Sequence, residues 1–359
     1  MTIRTFKYTT PTRRTPAFPW PFALIATVAV LAILAAACGG DGDDGAPSTT
    51  SPEAASESPP FSGVVVTTDL STGPNRFAVG VIDEEEGQPI LGADVALRFF
   101  KVLQGDQAEL RFEAETEFVG FETFYLKEDT GEKVTTGDTG VYMTNVEFDE
   151  TGDWGVEING SADGETIGPI QLALQVLPPD QVLNVGDPAP RSRQKIASDV
   201  TDITEIDSMS PPDPLHVAAI ADAVTSGKPS VILFGTPAFC ETRTCGPVME
   251  TVMLPLYETY KDQANFIHVE PYLLEELRSG VGLCAVPAFN AEFARQGIGE
   301  RGGECPRASG EEIQAAGESW ELTTEPIVFV IDGDGKIAGK FEGIVGPQEV
   351  EELLSQLVT

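Results

Sequence analysis

Two cysteines separated by four residues offer the clearest chemistry in this chain. Cys240 and Cys245 follow the apolar run Ser230–Phe234 and precede Pro247, where an amphipathic helical pattern begins. Thiol–disulfide exchange needs a thiolate, but a free cysteine with a pKa near 8.5 is mostly protonated at neutral pH. The unpaired N–H groups at a helix N-terminus stabilise a thiolate, and a second cysteine within reach lets a mixed disulfide resolve. The pair could therefore exchange electrons with another thiol or disulfide.

The spacing restricts where each cysteine can lie. Residues five positions apart on a regular helix lie roughly 8 Å apart, whereas disulfides join Cα atoms about 4.4–6.8 Å apart. If the pair bonds, Cys240 must lie in the loop before the helix and Cys245 in its first turn. The residue types leave open which of the two attacks. They also leave open a purely structural disulfide, because exported proteins commonly pair cysteines for stability.

A second pair of cysteines flanks a glycine-containing segment. A bridge between Cys284 and Cys305 would close a loop of some 20 residues and would stabilise the fold by about 3 kcal/mol. We expect this bridge to be structural. The alternative is a second redox pair that exchanges with Cys240 or Cys245.

The N-terminal residues are predicted to direct export. A basic opening and an apolar run over 22–37 lead to Cys38, in the order of a secretory signal peptide covering residues 1–38. Cys38 after three alanines resembles the lipobox of bacterial lipoproteins, although Ala35 stands where leucine is usual. Residues 39–61 are acidic and poor in apolar side chains, so they are predicted to be a flexible linker. We expect a lipid anchor on the extracytoplasmic side of the membrane, the alternative being an uncleaved membrane anchor.

Residues 62–178 are predicted to form an all-β domain. Apolar residues alternate with polar ones in short runs, such as Val95, Leu97 and Phe99, and turn residues separate the runs. The stretch 140–158 resembles the late strands of bacterial immunoglobulin-like extracytoplasmic domains. That resemblance implies an immunoglobulin-like sandwich with Tyr142 and Trp154 in its core.

Residues 179–359 follow an α/β pattern, with apolar strands, a cysteine pair at a helix start, and a glycine-turned hairpin before a terminal helix. Helices are predicted over 214–225 and 247–263, the second interrupted by Pro255. This order resembles the thioredoxin-like superfamily, and Val185–Pro190 is similar to the opening segment of its extracytoplasmic TlpA-like and peroxiredoxin-like members. The resemblance implies a thiol–disulfide oxidoreductase in which Pro326 is the proline beside the cysteine pair.

Departures from the family pattern keep other functions open. Family enzymes usually have two residues between their cysteines, and the strand before the pair lacks the acid that many thioredoxins carry. A degenerate thioredoxin-like scaffold in a non-catalytic, cell-surface binding lipoprotein is the main alternative. A copper-handling role like that of Sco-type proteins is a further one, although Thr324–Pro326 stands where those proteins add a histidine.

Charge and histidine content restrict the partners. The net charge of −35 argues against nucleic-acid binding, since little would neutralise phosphates. His216 is expected to be solvated and His268 to be packed or hydrogen-bonded, so no metal site and no cofactor are predicted. The expected partners are exported proteins with thiols or disulfides and an electron-transfer partner in the membrane.

Overall fold

A computed structural model describes residues 60–103, 107–297 and 304–358 of the chain. These residues are largely β-sheet, joined by mostly short helices. The predicted signal peptide, the predicted lipidation site Cys38 and residues 39–59 of the predicted linker lie outside the described residues. Within the described part, every helix is too short or too polar to cross a membrane.

The first ten strands form two sheets. The strands are β1 (Phe61–Val65), β2 (Leu70–Ser71), β3 (Gly73–Asp83), β4 (Gln88–Pro89), β5 (Asp94–Val102), β6 (Ala108–Glu115), β7 (Glu117–Leu126), β8 (Lys133–Phe148), β9 (Gly152–Ala162) and β10 (Glu165–Leu177). One sheet has the order β1–β3–β8–β7, with β4 paired to β3, and the other has the order β2–β10–β9–β5–β6. A common apolar core contains side chains of both sheets.

The alternating pattern of the sequence places the residues of this core. In β5, Val95, Leu97 and Phe99 are buried while the residues between them are partly exposed. Tyr142 and Trp154 are buried as predicted, and both polar atoms are satisfied. The Tyr142 hydroxyl donates to the Ile90 carbonyl over 2.8 Å, and Trp154 Nε1 donates to the Glu150 carbonyl over 3.0 Å.

Four later strands form a third, mixed sheet. They are β11 (Ser230–Phe234), β12 (Asn265–Val269), β13 (Ile327–Ile331) and β14 (Ile337–Glu342), in the order β12–β11–β13–β14. The pair β11–β12 is parallel and the other two pairs are antiparallel. Every residue of β11 and β13 is buried, because apolar clusters cover both faces of the sheet. This is why the two strands are continuous apolar runs in the sequence.

Seven α-helices accompany this sheet within the described residues. They are α1 (Ile220–Ala223), α2 (Cys245–Val248), α3 (Leu254–Tyr260), α4 (Leu274–Arg278), α5 (Ala291–Gln296), α6 (Gly310–Ala315) and α7 (Pro347–Leu357). A π-helical turn, Met249–Met253, joins α2 to α3. Pro255 has no N–H to donate to the preceding turn, and the turn before it is the π-helical one. The interruption predicted at Pro255 is thus a widened turn within one helical segment.

The helix predicted over 214–225 is wrong in its first half. Only Ile220–Ala223 is helical. The carbonyl of Leu215 accepts from the His268 N–H over 3.2 Å, and that of His216 accepts from the Ala197 N–H over 2.8 Å. These carbonyls are occupied by distant parts of the chain, so they are not available for helical hydrogen bonds.

The sandwich sheets and the mixed sheet belong to one compact unit that spans 57–359. Arg76 on β3 reaches Glu349 on α7, with Nε and Oε2 2.7 Å apart and both side chains mostly buried. Glu342 on β14 accepts from the Thr68 N–H over 3.0 Å, and Lys340 lies 3.1 Å from Asp69. Polar contacts therefore join the two parts on either side of the domain boundary predicted at 178/179, and that boundary stays a prediction.

Candidate functional site

The cysteine pair lies between β11 and the helical segment that begins at residue 245. Cys240 lies in the loop, where its N–H donates to the Thr236 carbonyl over 2.8 Å. Cys245 is the first residue of α2. The Cα atoms are 5.9 Å apart and the two sulfurs are bonded. This is the arrangement that the four-residue spacing requires of a bonded pair.

Hydrogen-bond donors surround the sulfur of Cys240. The Cys245 N–H points at Cys240 Sγ over 3.3 Å, and Thr242 Oγ1 lies 3.2 Å from the same atom. Thr242 Oγ1 also lies 2.6 Å from Thr244 Oγ1, so the two hydroxyls form a short chain. Donors of this kind favour the charged form of a thiol. Once the disulfide is reduced, a thiolate on Cys240 would be stabilised here.

A buried carboxylate faces both sulfurs. Glu325 precedes Pro326, and the peptide bond between them is cis. A carboxylate oxygen of Glu325 lies within 4.8 Å of Cys240 Sγ and of Cys245 Sγ. Its Oε2 is buried and has no hydrogen-bond partner among the described residues. Burial raises the pKa of Glu325 to about 8, and the negative charge of nearby Glu270 adds to the shift.

A cluster of buried acids and both histidines lies at the same end of β11. His268 on β12 points Nδ1 at Asp213 over 2.7 Å and Nε2 at the Gly235 carbonyl over 2.8 Å. Glu270 accepts from the Ser208 N–H over 2.8 Å, and the Ser208 hydroxyl accepts from the Ala238 N–H over 3.2 Å. Hydrogen bonds therefore connect the cluster to the loop that carries Cys240.

The electrostatics of the cluster follow from its burial and from its opposite charges. Burial raises the pKa of Glu270 to about 7. His268 is buried, which would lower its pKa, but the Asp213 carboxylate together with Glu270 and Asp207 outweighs burial and raises the pKa to about 10. The two histidines hold the pKa of Asp213 well below its usual range although burial opposes this. Burial and the charge of Asp213 raise the pKa of Asp207.

The disulfide is buried. Cys240 is 1% exposed and Cys245 is 0% exposed. The hairpin over 124–133, where β7 turns into β8, packs on the residue that follows Cys245; this segment is called the cap hairpin below. A Cβ atom added at Gly246 would lie 2.9 Å from Cε2 of Phe124, so this ring packs directly on the start of α2. Phe124 itself is 1% exposed.

Charged side chains hold the cap hairpin in place. Lys133 Nζ lies 3.8 Å from the centre of the Phe124 ring and 3.3 Å from Glu250 in the π-helical turn. The Arg243 guanidinium lies 4.6 Å from the centre of the Tyr125 ring. Arg278 on α4 forms an ion pair with Glu128. These contacts join the hairpin to both sides of the disulfide loop.

The second pair of cysteines is bonded away from this loop. Cys284 and Cys305 have their Cα atoms 5.5 Å apart, and 21 positions separate them in sequence. The Cys284 carbonyl accepts from the Leu273 N–H over 2.8 Å, and the Cys305 N–H donates to the Gly297 carbonyl over 3.2 Å. The bridge ties the chain before α5 to the chain after it.

Sequence reasoning placed the cysteines correctly but missed the acids around them. His216 was expected to be solvated, and this is wrong, because it is 4% exposed and lies against His268 with ring centres 4.8 Å apart. His268 is 0% exposed and hydrogen-bonded, as predicted. β11 carries no acid, and the acid near the two sulfurs is Glu325, which lies two residues before β13. A glutamate before a proline and a wholly apolar strand is the signal that could have indicated it.

Comparisons with known proteins add little. The chain matches no protein-family model and no curated protein. Among solved structures, it is similar to a thiol:disulfide interchange protein of the thioredoxin family from Chlorobium tepidum, with 17% identity over 49% of this chain and 99% of that chain and a TM-score of 0.25. Two structures of a β-glucosidase from Kluyveromyces marxianus share 16% and 14% identity, each over 33% of this chain and 15% of that chain, with TM-scores of 0.16.

Proposed function

We propose that this protein is a thiol–disulfide oxidoreductase that uses the pair Cys240–Cys245 on a thioredoxin-like frame. The single observation that carries the proposal is the Glu325 carboxylate, which lies within 4.8 Å of both sulfurs with Oε2 buried and unpartnered among the described residues. A negative charge on a buried carboxylate is costly to the fold. Titratable groups with strongly shifted pKa values cluster at functional sites, and thiol exchange is a reaction that needs a proton acceptor beside sulfur.

The contacts favour Cys240 as the attacking residue. Its sulfur receives the Cys245 N–H and lies against the Thr242 hydroxyl, so its thiolate has donors. The Cys240 thiolate attacks one sulfur of a client disulfide, the client S–S bond breaks, and the leaving sulfur takes a proton from solvent. Cys245 then gives its proton to the ionised form of Glu325 and attacks Cys240 Sγ, and the second client sulfur leaves and takes a proton from solvent. The client gains two electrons and the pair loses two; the reverse sequence oxidises a client.

Trapping of the mixed disulfide tests this assignment. The Cys245→Ser variant lacks the resolving sulfur, so a model disulfide peptide should stay bound to Cys240 and should be released by reductant. Cys240→Ser should trap at least about tenfold less, because its remaining thiol lacks those donors. Cys284→Ser serves as the matched control for loss of a cysteine. Trapping that is equal in the Cys240→Ser and Cys245→Ser variants would contradict the assigned roles, and no trapping in either would contradict the function.

The proposal extends to the place where the protein works. The predicted signal peptide and Cys38 support export and a lipid anchor, with exported thiols or disulfides as clients and a membrane electron-transfer protein as partner. The chain expressed in a bacterium should take up labelled fatty acid, and Cys38→Ser should abolish the label. A label that persists in the variant would contradict anchoring at Cys38.

Burial of the disulfide favours a second candidate function. With both sulfurs nearly inaccessible, the bond could simply stabilise a degenerate thioredoxin-like scaffold, and the β-sandwich, as an immunoglobulin-like module, would bind a partner at the cell surface. In that case Cys240→Ala with Cys245→Ala should lower stability and leave partner binding intact. The trapping experiment separates the two functions, because a structural pair gives no client adduct in the folded protein.

A further inference from the structure

Four side chains that the redox chemistry does not use lie together in the cluster of buried acids and histidines at the end of β11. Asp207, Asp213, His216 and His268 each offer a ligand atom, and these atoms all lie within 4.8 Å of one another. The side chains of Asp207, Asp213 and His268 are 0% exposed, and that of His216 is 3% exposed. Two carboxylates in a buried space need a compensating positive charge.

His216 points a nitrogen into this cluster without a hydrogen bond. Its Nε2 is buried and has no hydrogen-bond partner among the described residues. It lies 3.4 Å from Oδ2 of Asp213 and 3.6 Å from Oδ2 of Asp207. These separations are too long for good hydrogen bonds. They are close to the roughly 3.3 Å between neighbouring ligand atoms of a tetrahedral zinc site with bonds of about 2.0 Å.

The other atoms of these side chains are oriented as ligands require. His268 Nε2 lies 2.8 Å from the Gly235 carbonyl, which holds the proton on Nε2 and directs Nδ1 at Asp213. The second oxygens of the carboxylates accept from backbone, Asp213 Oδ1 from the Leu215 N–H over 2.8 Å and Asp207 Oδ1 from the Met209 N–H over 2.7 Å. Histidine and carboxylate ligands are usually oriented by such outer hydrogen bonds.

We propose that Asp207, Asp213, His216 and His268 form a binding site for a divalent cation of the zinc class. Nitrogen from two histidines and oxygen from two carboxylates suit Zn²⁺, and four protein ligands are typical of a structural site. On binding, His268 Nδ1 releases its proton to solvent, and the Asp213–His268 separation of 2.7 Å widens by about 0.6 Å to reach the tetrahedral spacing. Both histidines also line a cavity of about 430 Å³, which offers the cation a path from solvent.

Zinc titration of the oxidised protein tests the site, because no free thiol then competes among Cys240, Cys245, Cys284 and Cys305. We expect one Zn²⁺ per chain by elemental analysis after gel filtration in high salt, which removes ions bound loosely by the acidic surface. Co²⁺ used as a probe should give the intense visible absorption of a tetrahedral ion. His216→Gln should weaken binding by about 100-fold or more while circular dichroism stays unchanged.

A matched control uses a carboxylate of the same cavity outside the cluster. Glu205 lines the cavity but is not one of the four ligands, so Glu205→Gln should bind Zn²⁺ as the unmodified protein does. Cys240→Ser with Cys245→Ser should also bind normally, which keeps this test independent of the redox function. Sub-stoichiometric Zn²⁺ in the folded protein, or equal binding by His216→Gln, would overturn the proposal.

Discussion

At the scale of single residues, the protein differs from a simple disulfide-bonded scaffold in the acid that it places beside sulfur. The carboxylate of Glu325 is buried near the Cys240–Cys245 bond, and burial raises its pKa to about 8. A group with a pKa near ambient pH can both take and give a proton. The residues that face it include Glu270 and His268 as well as the two cysteines, so its charge state also depends on theirs.

The first prediction concerns the pH dependence of stability. Between the ordinary pKa of 4.5 and the folded value of about 8, folded Glu325 keeps a proton that the unfolded chain has lost. Its contribution to the free energy of unfolding therefore falls as pH rises through this window, by up to about 1.4 kcal/mol per pH unit. In urea unfolding at pH 5 to 8, the stability of Glu325→Gln relative to the unmodified protein should rise with pH. A difference that is constant across this range would contradict the assignment.

The second prediction separates the two disulfides by function. Cys284→Ser together with Cys305→Ser opens a bridge across 21 positions and should lower the free energy of unfolding by about 3 kcal/mol. Exchange at Cys240–Cys245 should continue at an unchanged rate, measured with a model disulfide peptide. A loss of exchange in a variant that is still folded would instead indicate that the second pair takes part in electron transfer.

At the scale of elements, the cap hairpin packs beside the buried disulfide, and we propose that it controls the access of a client. It is a segment of the β-sandwich, yet Phe124 packs on the first turn of α2 and Lys133 pairs with Glu250. We therefore expect exchange with a protein client to require movement of the hairpin. Its ion pairs are partly exposed and contribute little to stability. Local opening must therefore overcome mainly the packing of Phe124 and Leu126, which are 1% and 4% exposed.

The third prediction tests this gating. Phe124→Ala removes the ring that packs on Gly246 and should favour the open state. A small thiol reductant should then reduce Cys240–Cys245 at a rate about tenfold higher or more, because each 1.4 kcal/mol gained by the open state is a factor of ten. Alkylation followed by mass spectrometry measures each pair separately. Phe118→Ala, on the same strand but 37% exposed, is the matched control.

The two disulfides provide the internal check. If Phe124→Ala merely unfolded the protein more often, reduction of Cys284–Cys305 would accelerate equally. A rate that changes at neither pair would mean that the hairpin does not control access.

At the scale of the whole molecule, apolar and polar contacts join the sandwich to the mixed sheet and α7. The outer face of β3 is covered, since Ala78 packs with Ile344 in a small cluster separate from the sandwich core. Beside this cluster, Arg76 donates to Glu349 and to the Ile344 carbonyl. The charges on both sides of this contact are buried, so each depends on its partner.

The fourth prediction tests the coupling of the two parts. Arg76→Met leaves Glu349 without its partner in a mostly buried place and should destabilise the protein by roughly 3 kcal/mol. Arg193→Met breaks the exposed pair with Asp222 and should cost less than about 1 kcal/mol. Urea unfolding measures both. Equal effects of the two variants would contradict a structural role for the contact.

Local patterns predicted much of this molecule, and long-range contacts account for what they missed. Alternation predicted the inward residues of β5, and the spacing of Cys240 and Cys245 predicted a loop residue bonded to a helix start. Burial of His216 and closure of the cap hairpin depend on residues far apart in sequence, such as Glu128 and Arg278, which are 150 positions apart. No periodicity within a short window reports such a contact.

The most direct test of the redox account is equilibrium titration of the folded protein in thiol buffers of defined potential, with each pair quantified by alkylation and mass spectrometry. We expect the reduction potential of Cys240–Cys245 to lie above about −300 mV. We expect that of Cys284–Cys305 to lie below this value, as in resistant structural disulfides. A Cys240–Cys245 bond that resists reduction down to the same potential as Cys284–Cys305 would contradict the redox account.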